Sequence, residues 1–369
     1  MDRAREFEVK RGLLGKFLGE SGLDGLVLGR ADNFAWLGCG ADSTVNSASE
    51  TGVGALVATA DSVALVANNI ETERLLTEEL DGLKMDAVET FDWHNPPARE
   101  SLLAGLIGSG RFAADDGSCG LPPLPEGFQE LRYTLTEAEI KRYRALGADA
   151  SKSMEAVAAS IHRGIRERQV AALLAGAMVS RGATPVVLLV AADERIGSWR
   201  HPLPKGTKAE QYCMMVACAR RKGLVAAITR FVHFGEMPED LSRRHRAVCR
   251  VDAAMMASTR PGVRACEVLE AARKAYEQVG YADEWRFHHQ GGAIGYMARE
   301  YVANPQSSQV ISARQAFAWN PSIRGTKSED TMLVTEDGHE VLTGMSPRWP
   351  SVEVEVNGQV VRRPGMLVK

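Results

Sequence analysis

The chain has little imbalance of charge: over 369 residues, 44 Lys and Arg stand against 47 Asp and Glu. A near-neutral surface has no field to draw in nucleic acid or an acidic membrane, so neither is expected as a partner. No apolar run approaches the ~20 residues of a membrane span. Met1-Asp2-Arg3-Ala4-Arg5-Glu6 opens a charged helix rather than a signal peptide. The six cysteines (Cys39, Cys119, Cys213, Cys218, Cys249, Cys266) form no CxxC pair, and they are expected as reduced, mostly buried thiols of a cytoplasmic protein. Cys213 and Cys218 lie five apart in an apolar stretch that suits core packing better than a metal. Internal repeats and low-complexity segments are absent. One further lack is local: between Tyr212 and Val232 there is no Asp or Glu, so that stretch offers no carboxylate to a cation.

What is present suffices for two domains, each with its own core. Over residues 1–128, a helix at 6–21 stopped by Gly22, strands at 26–28, 53–57 and 62–67, and a helical segment at 69–79 predict a small α/β domain. Residues 117–127, rich in Gly and Pro, read as a linker. Residues 129–369 begin with Thr136-Glu137-Ala138-Glu139, a Thr N-cap with Glu at the third helical position. Helices at 137–163 and 167–181 precede strands at 185–191, 212–219 and 223–232. Helices at 241–259 and 265–279 then precede strands at 316–320 and 330–335. This order predicts an α+β domain, a curved antiparallel sheet backed by two pairs of helices. Arg243-Arg244-His245-Arg246 reads as a solvated helix face. The tail alternates apolar and charged residues around Asn357-Gly358, a hairpin with a type I′ turn. Its Val352, Val354 and Val356 against Val360 would extend an interface or cover a sheet edge.

The densest chemistry lies in Phe287-His288-His289-Gln290-Gly291-Gly292-Ala293-Ile294-Gly295-Tyr296, followed by Met297-Ala298-Arg299-Glu300. Glycines there allow close approach of the backbone to a ligand or strand. On a strand, neighbouring side chains face opposite ways, so only one of His288 and His289 is expected in any pocket, with His289 turned to the core or an interface.

Several stretches resemble one family, the pita-bread peptidases: prolidase, aminopeptidase P, methionine aminopeptidase and creatinase. Asn33-Phe34-Ala35-Trp36-Leu37-Gly38 is similar to the family's N-x-x-Y-L-T-G segment. Residues Leu131 to Ile140 resemble R-x-x-K-x-x-x-E-I, and His201-Pro202 resembles the histidine before the first metal-bearing strand. Ala227-Ile228-Thr229-Arg230 resembles D-I-T-R, Gly291 to Gly295 resembles G-H-G-I-G, and Asn320-Pro321 resembles E-P. Ser328 to Gly338 resembles I-E-D-T-x-L-V-T-E-D-G. The resemblance spans nearly the whole chain. It implies a small α/β domain joined to a pita-bread domain, commonly in a homodimer.

The family's peptidases hold two divalent ions with two Asp, one His and two Glu. Carried over position by position, these fall on Val216, Ala227, Gly292, Asn320 and Glu329, and only Glu329 keeps its type. Val, Ala and Gly offer no ligand atom and Asn offers one neutral oxygen, so neither metal nor cofactor is expected.

The resemblance to creatinase implies hydrolysis of a C–N bond without metal, by a histidine at the position of His201. A near-neutral imidazole suits that acid/base work; the alternative is a His201 that caps or packs beside Pro202. Glu329, expected as the second catalytic residue, would with Asn320 bind the cationic group or the leaving nitrogen of a small-molecule substrate, and Arg299 would hold a carboxylate. Arg299 has a competing use in an ion pair with Glu300 or Glu329. Arg324 and Lys327 also fall near this site. His288 stands where many members carry a substrate-contacting histidine. Trp36 would either shape the pocket or fill the core. Cys218 is either a nucleophile beside His201 or an inert buried thiol. An ion on His201, His288 and Glu329 is a further arrangement. Three functions follow: a metal-independent hydrolase of a small C–N substrate; a silent member that binds a ligand or partner; and a metal-dependent Xaa-Pro peptidase.

Overall fold

The computed structural model describes residues 1–369 apart from Asn357 and the side chain of Gln359. The chain divides into two compact units, Met1–Ile140 with Lys222–Leu224, and Lys141–Arg221 with Val225–Lys369. Among the described residues no helix is long and apolar enough to cross a membrane.

In the first unit, helix α1 (Arg3–Ser21) ends at Gly22, which takes the left-handed conformation (φ 64°) that closes helices. Strands β1 (Gly25–Arg30), β2 (Thr51–Thr59), β3 (Val63–Asn68), β4 (Ala87–Phe91) and β5 (Phe112–Ala114) form a mixed sheet in the order β4-β3-β2-β1-β5. Helices α2 (Ala31–Leu37), α3 (Thr72–Arg74, continued by a wider turn over Leu75–Glu79) and α4 (Pro96–Ile107) complete it. Lys10 is buried, with its ammonium 3.0 Å from Glu6, 2.7 Å from Glu139 and 2.7 Å from the Trp36 carbonyl. Trp36 is only 1 % exposed and meets Phe128 edge-on at 5.8 Å. Its ring is enclosed in this unit's core and has no surface left for a substrate, which overturns the substrate-binding expectation.

The second unit follows the expected order. Helix α5 (Glu137–Ser160) opens on a reciprocal capping box: Glu139 accepts from the Thr136 backbone N–H, and Thr136 Oγ1 accepts from that of Glu139. Helix α6 (Glu167–Val179) pairs with it in sequence, as α8 (Glu239–Ser258) pairs with α9 (Ala265–Gln278); α7 (Glu194–Ser198) is a short turn between strands. The strands are β6 (Thr184–Ala192), β7 (Tyr212–Arg221), β8 (Leu224–His233), β9 (Gly291–Ala293), β10 (Tyr301–Val302), β11 (Ala316–Trp319), the small pair β12 (Ser322–Ile323) and β13 (Thr326–Lys327), β14 (Asp330–Val334) and β15 (His339–Val341). The main sheet runs β10-β9-β11-β14-β8-β7-β6, with β15 beside β14. Its pairs are antiparallel except where β18 (Leu367–Val368) lies parallel to β8. Phe317, Trp319 and Met332 pack with Val248, Met255 and Tyr276 of the helices into one core. The α+β architecture is therefore the expected one.

The C-terminal hairpin, β16 (Ser351–Val356) and β17 (Gln359–Pro364), differs in what it covers. Val354 pairs with Val361, and together with Val352 and Val356 these residues pack on Cys249 and Ala253 of α8. Val360 is 64 % exposed. The apolar face thus closes over a helix rather than a sheet edge, and Val361, not Val360, completes it. The turn residue Asn357 lies outside the described residues. Arg363 at the end of β17 is buried between Asp252 of α8 and Asp330 of β14, at 2.8 Å from each. Asp330 also takes Arg230 at 3.0 Å.

His245 corrects the reading of 243–246 as a wholly solvated face: it is buried, with Nε2 2.9 Å from the Pro364 carbonyl and Nδ1 2.7 Å from Thr326 Oγ1. A carbonyl only accepts, so Nε2 carries the proton and Nδ1 accepts from the hydroxyl. Burial pushes its pKa down to about 4, and the folded state needs the neutral ring. The associated stability is complete above pH ~6.5 and is lost as pH falls toward 4, about 3 kcal/mol in all. Urea unfolding between pH 7 and 4 should show this loss, and His245→Gln should flatten it; an unchanged slope in the variant removes His245 as its source.

Candidate functional site

The site is assembled by the sheet of the second unit and the loops beside it. A cavity of about 290 Å³ is lined by Val187, Leu189, Val216 and Ala298 on its apolar side and by His201, His289, Arg299, Asn320, Lys327 and Glu329 on its polar side. A larger hollow of about 750 Å³ is lined by Arg195, Tyr212, Arg244 and Arg324 among others. Arg195 there is engaged by Glu167, and Arg244 by Asp240. We therefore place the site in the smaller cavity, where polar groups remain unpartnered.

Glu329 precedes β14 and is 2 % exposed. Its Oε2 accepts from Thr229 Oγ1 at 2.6 Å and lies 2.8 Å from the Lys327 ammonium; its Oε1 lies 3.3 Å from Arg299 Nη2. Burial pushes this carboxyl up, but Lys327, Arg299 and the Thr229 hydroxyl outweigh burial and hold it below the usual range. A carboxylate with two cations on it is not free to bind a third, so Glu329 does not serve the cationic substrate group expected of it. With the histidines neutral, one Glu against one Lys and one Arg leaves the pocket positive. Arg299 thus takes the Glu329 pairing rather than Glu300, whose Oε1 instead accepts the backbone N–H of Tyr296 at 2.8 Å. Among the described residues that line this cavity, Arg299 Nε and Asn320 Oδ1 are buried without hydrogen-bond partners.

His201, His288 and His289 come together. His201 Nε2 and His288 Nε2 are 3.0 Å apart, and the His288 and His289 ring centroids are 4.6 Å apart. Of the adjacent pair, His289 lines this cavity and the buried His288 does not, the reverse of the expected assignment. A short helical turn ends at Phe287 and β9 begins only at Gly291, so the alternation of a strand does not govern 288 and 289. His288 is buried, with Nδ1 3.3 Å from Ser322 Oγ, and Arg200 donates to that same oxygen at 3.1 Å. Burial first, then Lys327, lowers the pKa of both His201 and His288; burial and then Arg299 lowers that of His289 to about 4. All three are neutral at pH 7. Cys218 also lines the cavity, but burial pushes its thiol up to about 11, so it is inert.

The residues at the family's ion positions do not fit two ions. Val216 is buried and pairs with Leu189 across β6 and β7. The backbone N–H and carbonyl of Ala227 are both bonded to Thr331 Oγ1. A Cβ on Gly292 would stand 2.1 Å from the Tyr301 carbonyl oxygen, so the backbone leaves no room there for any side chain.

Sequence reasoning missed the part of His289 and the weight of Lys327. The signal for Lys327 was its place two residues before Glu329, which puts both side chains on one face of an extended segment.

A sequence profile described as metallopeptidase family M24 matches residues 141–336. Among curated relatives, an uncharacterized peptidase of Staphylococcus epidermidis is 24 % identical over 228 residues, 59 % of this chain and 64 % of the relative. One of Staphylococcus aureus is 23 % identical over 224 residues, 58 % and 64 % of the two chains. The matched segment thus spans less than two thirds of these relatives. Among solved structures, an Xaa-Pro dipeptidase from Bacillus anthracis superposes with a TM-score of 0.79 at 18 % identity, covering 98 % of this chain and 100 % of that one. A prolidase from Pyrococcus horikoshii gives 0.78 at 20 % identity, covering 92 % and 99 %. The N-terminal domain of the FACT complex subunit SPT16 from chickpea gives 0.71 at 12 % identity, covering 93 % and 97 %. At these identities the likeness is one of fold.

Two outcomes follow from the geometry. Gly292→His should not restore an ion ligand; it should cost at least about 3 kcal/mol by overpacking against backbone, read as a lowered melting temperature with no gain in bound metal. Glu329→Gln leaves the buried Lys327 and the part-buried Arg299 uncompensated and should cost about 3 kcal/mol in urea unfolding. Adding Lys327→Met should recover part of that, and a double variant no more stable than the single one contradicts the charge balance.

Proposed function

The chain belongs to metallopeptidase family M24, and we propose that it hydrolyses a C–N bond of a small carboxylate-bearing molecule without the family's pair of metal ions. The observation that carries this reading is the placement of the Lys327 ammonium and the Arg299 guanidinium on Glu329, the one ion-ligand type that survives. Two fixed side-chain cations supply positive charge where the relatives' chemistry calls for metals.

The pocket's excess positive charge favours an anionic group, and the unpartnered Arg299 Nε is a donor for one. The buried Asn320 Oδ1 accepts an N–H, and Val187, Leu189, Val216 and Ala298 take an aliphatic portion. The substrate class is thus a small amide with a carboxylate, not the cationic molecule the sequence suggests. His201, neutral and open to the cavity, accepts a proton from water as the oxygen bonds to the substrate carbon. As the C–N bond breaks, the same proton passes to the leaving nitrogen, so the imidazole ends as it began. His288 stands behind it as a positioning residue, tied to Ser322. A homodimer in the cytoplasm is part of the same proposal.

A second reading, binding without turnover, is favoured by the loss of ligand type at four of the five positions and by the likeness in fold to a FACT complex subunit. Cleavage of Xaa-Pro bonds, for which two structural neighbours are named, would as a metal-dependent reaction call for two metal equivalents per chain in the purified protein.

A panel of N-acyl amino acids, ureido acids and dipeptides should yield turnover after chelator treatment. His201→Ala should abolish that turnover with its melting temperature unchanged. Activity retained in His201→Ala removes the mechanism, and tight binding with no turnover across the panel decides for the second reading.

A further inference from the structure

The imidazole cluster has a property that the hydrolytic reading does not use. We infer that His201, His288 and His289 form a site for a single divalent cation of the zinc class, distinct from the ion pair of the family. One nitrogen of each ring lies within 4.8 Å of those of the other two, and the closest pair is 3.0 Å apart. Nitrogens held by a tetrahedral zinc at about 2.0–2.1 Å are separated by about 3.4 Å. Rotations of His201 and His289, both exposed, close that difference around the buried His288.

The surroundings of His288 suit a ligand. When Nε2 binds an ion, Nδ1 carries the proton and needs an acceptor, and Ser322 Oγ stands 3.3 Å away, held by Arg200. Three neutral nitrogens and no carboxylate in the set select zinc, cobalt(II), nickel or copper over magnesium and calcium. The faces of His201 and His289 open on the cavity, so the fourth position of a tetrahedral ion is left to water or a ligand. Lys327 and Arg299 oppose the ion through space, and Glu329 offsets only one of their two charges. An ion on His201 takes the lone pair that this ring offers as a base. Occupancy and the proposed hydrolysis therefore exclude one another, which makes such an ion an inhibitor. The inference rests on the imidazole geometry and stands or falls apart from the hydrolase reading.

The test uses the full-length protein, stripped with chelator and titrated without substrate, by the visible absorption of cobalt(II) and by calorimetry with zinc. One equivalent with a tetrahedral cobalt spectrum is expected. His288→Gln and His289→Ala should each weaken binding by more than about tenfold, a loss that even an outer-shell partner produces. Lys327→Met, which removes an opposing charge, should tighten it. No binding at millimolar metal, two equivalents per chain, or one equivalent indifferent to both histidine variants overturns the site. Should His288→Gln fail to fold, His289→Ala, at an exposed position, decides alone.

Discussion

The second unit is organised around a carboxylate that cannot be left alone. Glu329 is buried, and an uncompensated charge in that position would cost several kcal/mol. The compensation comes from the chain's own side chains: Lys327 arrives two residues earlier, and Arg299 comes from the loop after β9. Those two cations then set the rest of the site. They add to the burial that lowers the pKa of the three imidazoles, and they leave the cavity positive. A single acidic residue and its two cations thus set the charge of a cavity whose opposite wall is aliphatic.

Three of the four other positions onto which the resemblance carries ion ligands are taken up by the chain's own packing or bonding, while the fourth, Asn320, keeps an unpartnered buried Oδ1. Val216 joins Leu189, Met214 and Phe231 in an apolar cluster, and the Thr331 hydroxyl fills the backbone bonding capacity of Ala227. At Gly292, β9 lies close enough to β10 that no Cβ fits. These are three separate physical solutions, and reversing one leaves the others in place. The fold shared with prolidases therefore constrains backbone paths, while the side chains define a different chemical environment.

Much of this was legible in the sequence. The Thr136–Glu139 capping box, the Gly22 helix stop and the order of helices and strands follow from short-range rules, and the structure keeps them. What was not legible depends on three-dimensional direction. His288 and His289 sit in irregular backbone, where no period tells which way a side chain points. Trp36 follows a strand in both the pocket reading and the core reading, and only its contact with Phe128 separates them. His245 lies in a run of arginines, and its burial depends on the Pro364 carbonyl, 119 residues away. Lys327 was visible, but its weight came from the distance to Glu329.

The junction at Arg363 has a consequence for the order of events during synthesis. Asp252 and Asp330 are carboxylates of the core, and both are neutralised in part by a guanidinium that leaves the ribosome more than thirty residues after the later of the two. Until then the helix and strand that carry them hold negative charge with no counterpart from β17, and β8 lacks the parallel partner that Leu367 and Val368 provide. Arg230 already pairs with Asp330, so among these contacts it is the partner of Asp252 and the parallel edge of β8 that residues 363–368 supply.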